Sequence, residues 1–162
     1  MRAATDLTRL PALLILGLAA AALGSALVSQ HVFGLLPCKL CLVQRWPYYV
    51  AIPLAAVTAL LPPGRRRRLG FGLLALVFLV SAGLGLHHAG VEWGWWPGPT
   101  DCGGGMGAAS GAVGDFLKEL ETARVVSCTE AALRVLGLSM AGWNALVSLA
   151  LAALAARLGA AR

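Results

Sequence analysis

The stretch "LPCKLCLVQRWPYY", Leu36 to Tyr49, decides how this chain is read. It sets Cys38 and Cys41 in a C-x-x-C pair, places Arg45 one helical turn after Cys41, and runs straight into an apolar segment. By itself a C-x-x-C serves as half of a zinc site, as a redox pair, or for no chemistry at all. The sequence around it narrows the choice.

Outward from that stretch the chain is greasy. Of its 162 residues 59% are hydrophobic and 12% charged, with a mean hydropathy of +0.78. A soluble domain carries about twice that charged fraction. Leu10 to Leu36 contains no Asp, Glu, Lys or Arg, which marks a bilayer-spanning helix. A cleaved signal peptide is the competing reading, since Arg2 and Arg9 precede the segment and small residues occur near Gly24 to Ala26. Signal-peptide apolar cores are shorter, about 7–15 residues, so an uncleaved helix is expected. Further spans are expected over about residues 42–61, with Pro53 kinking the helix, 69–88 and 140–158. Together they make one membrane domain over residues 1–162, with no internal repeat.

The net charge is +6, and Arg65 to Arg68 form a single run between two apolar segments. Nucleic-acid binding is a weak explanation of that run. Four arginines cost roughly 2.5–3.5 kcal/mol each at a helix centre, so they belong in water or headgroups. With four spans, Arg2, Arg9, the four-Arg run, Arg157 and Arg162 all fall on one side, which should be cytoplasmic. Cys38, Cys41, Cys102 and Cys128 then all fall on the opposite side, where disulfides persist. The long external loop, about residues 89–139, opens with a Trp cluster suited to the membrane boundary, Trp93, Trp95 and Trp96. It contains an amphipathic stretch, 113–126, and a second short helix after Thr129 that ends near Gly137. These short helices either lie on the membrane surface or pack together away from lipid.

The pair Cys38 and Cys41 sits where the second span begins. Free N–H groups and partial positive charge there stabilise a thiolate. Arg45 shares a helix face with Cys41. It adds positive charge beside the Cys41 sulfur or donates to a ligand held there; a plain snorkelling arginine is the bland alternative. Cys102 and Cys128 lie 26 positions apart. A static bridge between them would stabilise the loop by roughly 3.5 kcal/mol, whereas Gly103, Gly104, Gly105 and Gly107 beside Cys102 suit a bridge that must meet an attacking thiolate. Zinc held by Cys38, Cys41, His87 and His88 is disfavoured, because adjacent helical histidines point about 100° apart. His88, on the external side, is either an interfacial histidine or a hydrogen-bond donor to a cofactor, with Glu92 four residues on to orient it. His31, Gln44, Trp46 and Asn144 are read as packing or interfacial residues.

Taken in order, these features resemble the DsbB disulfide bond formation proteins of bacterial inner membranes. The resemblance covers about residues 20–158. It rests on four spans, "PCKLCLVQR", a His near the end of span three, a Pro-containing stretch leading to Cys102, and Cys128 followed by "LGLSMAGW". It implies an all-α integral membrane four-helix bundle with both termini cytoplasmic and a long periplasmic loop. It also implies an enzyme: a quinone-dependent thiol oxidoreductase that reoxidises a DsbA-like thioredoxin-fold partner and passes the electrons to ubiquinone or menaquinone, without a metal. The implied catalytic residues are Cys38, Cys41, Cys102 and Cys128. Cys102 would form the mixed disulfide with the partner, Cys38 would carry exchange between the pairs, and Cys41 would face the quinone, with Arg45 and His88 as its contacts. Two other readings stand beside it. A vitamin K epoxide reductase-like protein also joins four cysteines to a quinone, but its C-x-x-C comes late in the chain. A non-catalytic scaffold would use the loop disulfide only as a staple.

Overall fold

The computed structural model describes residues 2–99 and 127–161, with the backbone alone over 2–8. Five helices and one hairpin appear among them: α1 (Arg2–His31), α2 (Lys39–Val43), α3 (Trp46–Leu60), α4 (Arg65–Glu92), β1 (Arg134–Val135), β2 (Leu138–Ser139) and α5 (Met140–Ala160). Four stretches are long and apolar enough to cross a membrane: Arg9–His31, the α2–α3 pair over Lys39–Leu60, Arg65–Glu92 and Met140–Ala160. The fold is thus the predicted membrane-type helical bundle. Rows of outward Leu and Val, such as Leu13, Leu14 and Leu18 on α1 and Leu73, Leu76 and Leu79 on α4, are exposed. On helices of this length such rows face lipid.

In lipid, apolar side chains gain little by packing on one another, so close contact depends on small residues and buried polar bonds. The α4–α5 seam is built this way. Ala141, Ala145, Ser148, Ala152 and Ala155 recur at helical spacing on α5 and are buried. A Cβ on Gly85 of α4 would sit 2.8 Å from the Ala145 backbone nitrogen. Where α3 meets α4, a Cβ on Gly70 would lie 2.5 Å from Thr58 Oγ1. The core between the helices is Ala-rich, filled by Ala51, Ala55, Leu74, Phe78 and, from α1, Ala12, Ile15, Ala19 and Leu23.

Several boundaries differ from the expected ones. The first helix stops at His31 rather than Leu36, because Gly34 takes a positive φ of 66° and the connection ends on Pro37. The second span is broken at Gln44–Arg45, ahead of Pro47, while the helix runs on through Pro53. Pro47 has no N–H for the Val43 carbonyl, four residues back, so the ladder fails there. The third span, α4, begins at Arg65, the first of the arginine run, and continues to Glu92; arginine is a good helix former and need not end a helix at the membrane surface. The helix expected after Thr129 is absent. Instead Arg134 pairs with Ser139 and Val135 with Leu138 in a hairpin, turned by Leu136 (φ 52°) and Gly137 (φ 83°). Two consecutive positive φ values define the tight turn that suits twisted strands. Ser139 then caps α5 by accepting from the Gly142 N–H at 3.2 Å. The amphipathic stretch 113–126, Cys102 and the glycines after it lie outside the described residues.

Candidate active site at the cysteine end of the bundle

The connection from α1 to α2 brings Cys38 to the first position before a five-residue helix. Cys38 is extended, with φ −72° and ψ 169°, and its Sγ accepts from the Cys41 backbone N–H at 3.2 Å. One turn later the Cys41 Sγ returns to within 2.7 Å of it. Both cysteines are free thiols. Cys38 is buried, while Cys41 is half-buried. Hydrogen bonds from the Cys41 thiol, then from His88 and the Cys41 backbone, outweigh burial and hold the Cys38 thiol down to about 4. The sequence places the reactive anion on Cys41. The structure directs the stabilising donors to Cys38.

His88 lies on α4, 3% exposed, with Nε2 3.6 Å from Cys38 Sγ and 3.8 Å from Glu92 Oε1. The helix does continue to Glu92, as that contact requires. Glu92 Oε2 is buried with no hydrogen-bond partner. His87 turns away and stacks on Trp96, ring centroids 5.6 Å apart. The four-donor zinc set therefore does not assemble: Cys38, Cys41 and His88 alone come together, their ligand atoms within 4.8 Å of one another. A closed structural zinc site takes four ligands.

Arg45 is buried at the break between α2 and α3. Its guanidinium reaches α1, donating to Gln30 Oε1 at 2.5 Å and to the Ala26 carbonyl at 3.4 Å. It is thus braced across the bundle, and no carboxylate pairs with it among the described residues. A guanidinium has five N–H donors, so three stay available after those two bonds. Arg45, Cys41, His88 and Glu92 line a cavity of about 240 Å³, whose α1 wall is Ala22, Leu23 and Ala26 together with Ser25 and Ser29.

Beyond the cysteines, Cys128 is buried and disulfide-bonded. It packs with Cys38 and Val91 in one small cluster, against which Leu40 and Cys41 also pack. Three of the four cysteines therefore meet at one end of the bundle; Cys102, the fourth, is outside the described residues.

Sequence reasoning missed a polar chain that runs from this cluster into the bundle. Gln44 Nε2 lies 2.6 Å from His88 Nδ1, and Asn144 Nδ2 donates to Gln44 Oε1 at 2.7 Å. Tyr48 OH donates to Asn144 Oδ1 at 2.8 Å and lies 3.0 Å from Ser148 Oγ, which bonds Ser81 Oγ at 2.9 Å. Gln44, buried, and Asn144, half-buried, are thus polar connectors within the bundle, the packing side of the expected packing-or-interfacial role. The available signal was their type: an amide within a membrane span must find a partner on a neighbouring helix. His31 and Trp46, by contrast, lie exposed outside the site.

A four-span membrane protein with a C-x-x-C pair packed against a disulfide-bonded cysteine belongs to the class of membrane thiol oxidoreductases. Comparison with known proteins makes this specific. The family model for "Disulfide bond formation protein DsbB" matches residues 8–158, and the chain belongs to that family of disulfide-forming oxidoreductases. It is 35% identical to the disulfide bond formation protein B of Marinobacter nauticus, over 76% of this chain and 74% of that protein. Against the protein of that name from Polaromonas sp. it is 30% identical, over 82% and 79%. Against that from Aromatoleum aromaticum it is 33% identical, over 81% and 79%. No solved structure matches the chain.

Proposed function

We propose that this protein reoxidises the dithiol of a periplasmic DsbA-like thioredoxin-fold partner and delivers the two electrons to a membrane quinone, ubiquinone or menaquinone. The observation that carries this reading is the buried packing of Cys38 against Cys128, beside Cys41 and at the wall of an apolar cavity. Thiol–disulfide exchange needs a thiolate close to a disulfide and goes faster when the leaving sulfur has a low pKa, and Cys38, stabilised as an anion, is the leaving sulfur when the loop bridge re-forms.

In this reading Cys128 is bridged to Cys102, the remaining cysteine of the chain. A partner thiolate attacks the Cys102 sulfur and breaks the loop bridge. The partner's second thiol then resolves the mixed disulfide and leaves as a disulfide, with Cys102 and Cys128 reduced. Exchange across the cluster re-forms that bridge at the expense of a Cys38–Cys41 disulfide, so Cys38 and Cys41 now hold both electrons, with one proton on Cys41 and the other released to solvent. The residues lining the cavity fit a quinone: Ala22, Leu23 and Ala26 of α1 offer apolar surface to its ring, and the spare Arg45 donors suit a carbonyl oxygen. When bound, the quinone supplies a two-electron, two-proton acceptor. Cys41 is more open than Cys38 and lines the same cavity, which suits it to meet that acceptor. Burial keeps water from competing at the Cys38 sulfur.

Orientation follows from charge. The cysteine end faces the periplasm, and the four-Arg run and both termini face the cytoplasm of a bacterial inner membrane. The test is quinone absorbance, followed in detergent with a reduced thioredoxin-fold partner and a soluble quinone analogue. Wild type consumes the quinone and Cys41→Ser does not. A Cys41→Ser protein that consumes quinone as fast as wild type would overturn the mechanism.

A further inference from the structure

We propose that Gln44, held by Asn144, is a positioning residue that fixes His88 as its Nε2–H tautomer, so that the ring donates to the Cys38 sulfur and does not act as a base toward it.

The sense of the hydrogen-bond chain is set at the Leu40 carbonyl. That oxygen only accepts, and Gln44 Nε2 lies 3.4 Å from it. The amide nitrogen of Gln44 therefore occupies this side, and the same nitrogen lies 2.6 Å from His88 Nδ1. An amide NH2 only donates, so Nδ1 presents its lone pair. A neutral imidazole with a lone pair on Nδ1 carries its proton on Nε2. The opposite tautomer would press two donors together at 2.6 Å. Turning the Gln44 amide over would set two oxygens against each other at Leu40 and two NH2 groups against each other at Asn144, whose Nδ2 is 2.7 Å from Gln44 Oε1. Asn144 is in turn held by Tyr48, whose hydroxyl donates to its Oδ1 at 2.8 Å.

Everything that Nε2 faces accepts. Cys38 Sγ is 3.6 Å away and Glu92 Oε1 is 3.8 Å away. The ring thus offers one N–H to a thiolate and has no free lone pair left for the thiol proton. A histidine beside a reactive cysteine is commonly the base that activates it; here the neighbour on Nδ1 removes that option. The consequence for exchange rests on the proposed role of Cys38, but the tautomer does not.

The test is nitrogen NMR of the full-length protein in detergent, with histidine labelled with ¹⁵N in the ring. The His88 signals are those that disappear in His88→Gln. In wild type the Nε2 shift is that of a protonated ring nitrogen and the Nδ1 shift that of an unprotonated one. Gln44→Glu replaces the donor facing Nδ1 with an acceptor and shifts Nδ1 to the protonated position. Asn144→Asp keeps the acceptor for Tyr48 but removes the N–H that holds Gln44, and the uniform Nε2–H signature is lost. A protonated Nδ1 in wild type, or a Gln44→Glu spectrum identical to wild type, would overturn the proposal. Neither readout needs quinone or partner. A protein that shows the tautomer yet fails to turn over quinone contradicts the proposed function alone.

Discussion

The two halves of the bundle are held together by different means. At the cysteine end, polar side chains from three helices bond to one another: Gln44 after α2, His88 on α4 and Asn144 on α5. Along the α4–α5 seam, contact comes from Gly85, Ala145, Ser148 and Ala152, with backbones close enough to exclude a methyl group. The seam gives rigidity, and its polar link, Ser148 Oγ to Ser81 Oγ at 2.9 Å, is the far end of the chain from the cysteine cluster. The cysteine end gives up tight apolar packing for a cavity and a set of directed donors. Substitutions should therefore separate, with activity lost at one end and stability lost along the other.

The largest separation is expected from Cys38→Ser. Quinone turnover with the reduced partner falls to background, while the helical circular dichroism and the melting temperature in detergent stay near wild type. If turnover survives, exchange does not pass through Cys38.

Gly85→Val is the counterpart. The new Cβ meets the Ala145 nitrogen at 2.8 Å, and backbone cannot move aside as a flexible side chain would. A destabilisation of about 1–3 kcal/mol is the usual cost of overpacking, read as a lowered melting temperature. Turnover per folded molecule should change little. A melting temperature equal to wild type would mean that the seam is looser than described.

Acid provides a third probe, aimed at Cys38 itself. Its thiol is lowered from 9.0 to about 4, so the sulfur is anionic above that value and gains its proton only as pH falls through it. Alkylation of Cys38 by iodoacetamide, followed by peptide mass spectrometry, should hold level from pH 8 to pH 5 and then decline toward pH 4. An ordinary thiol would instead lose about tenfold in rate for each unit below its pKa. A tenfold decline per unit between pH 8 and pH 6 would show that the donors around Cys38 do not stabilise the anion.

The smallest expected effect lies outside both regions, at the hairpin turn. Leu136 takes φ 52° and is 89% exposed, a conformation that costs a branched residue roughly 1–2 kcal/mol and glycine almost nothing. Leu136→Gly should raise the melting temperature slightly without altering turnover. A fall would indicate that the Leu136 side chain is held by something outside the described residues.

Much of this was legible because membrane sequences have few ways to fold. Uncharged runs of 20 residues or so read as helices, and the Cys38–Cys41–Arg45 spacing marked where chemistry belongs. Finer features were hidden by competition between local signals. Pro53 is the more conspicuous proline within the second span, yet Pro47 marks the break, because its missing N–H falls where the helix must restart. Glu130 after Thr129 suggested a helix start, but Leu136–Gly137 took a hairpin turn. Arg45 was placed beside Cys41 by helical spacing alone; bracing by Gln30 and Ala26 came from another helix, which spacing cannot report. Gln44 and Asn144 stand 100 positions apart, so no local pattern joins them.

The most direct measurement concerns the contact between the two cysteine pairs. In a protein carrying Cys41→Ser and Cys102→Ser, only Cys38 and Cys128 remain. Mild oxidation of the folded protein in detergent, followed by peptide mapping, should yield an intramolecular Cys38–Cys128 disulfide in nearly every molecule. If both sulfurs instead stay free and open to maleimide, the two pairs do not meet, and electrons cannot pass between them as proposed.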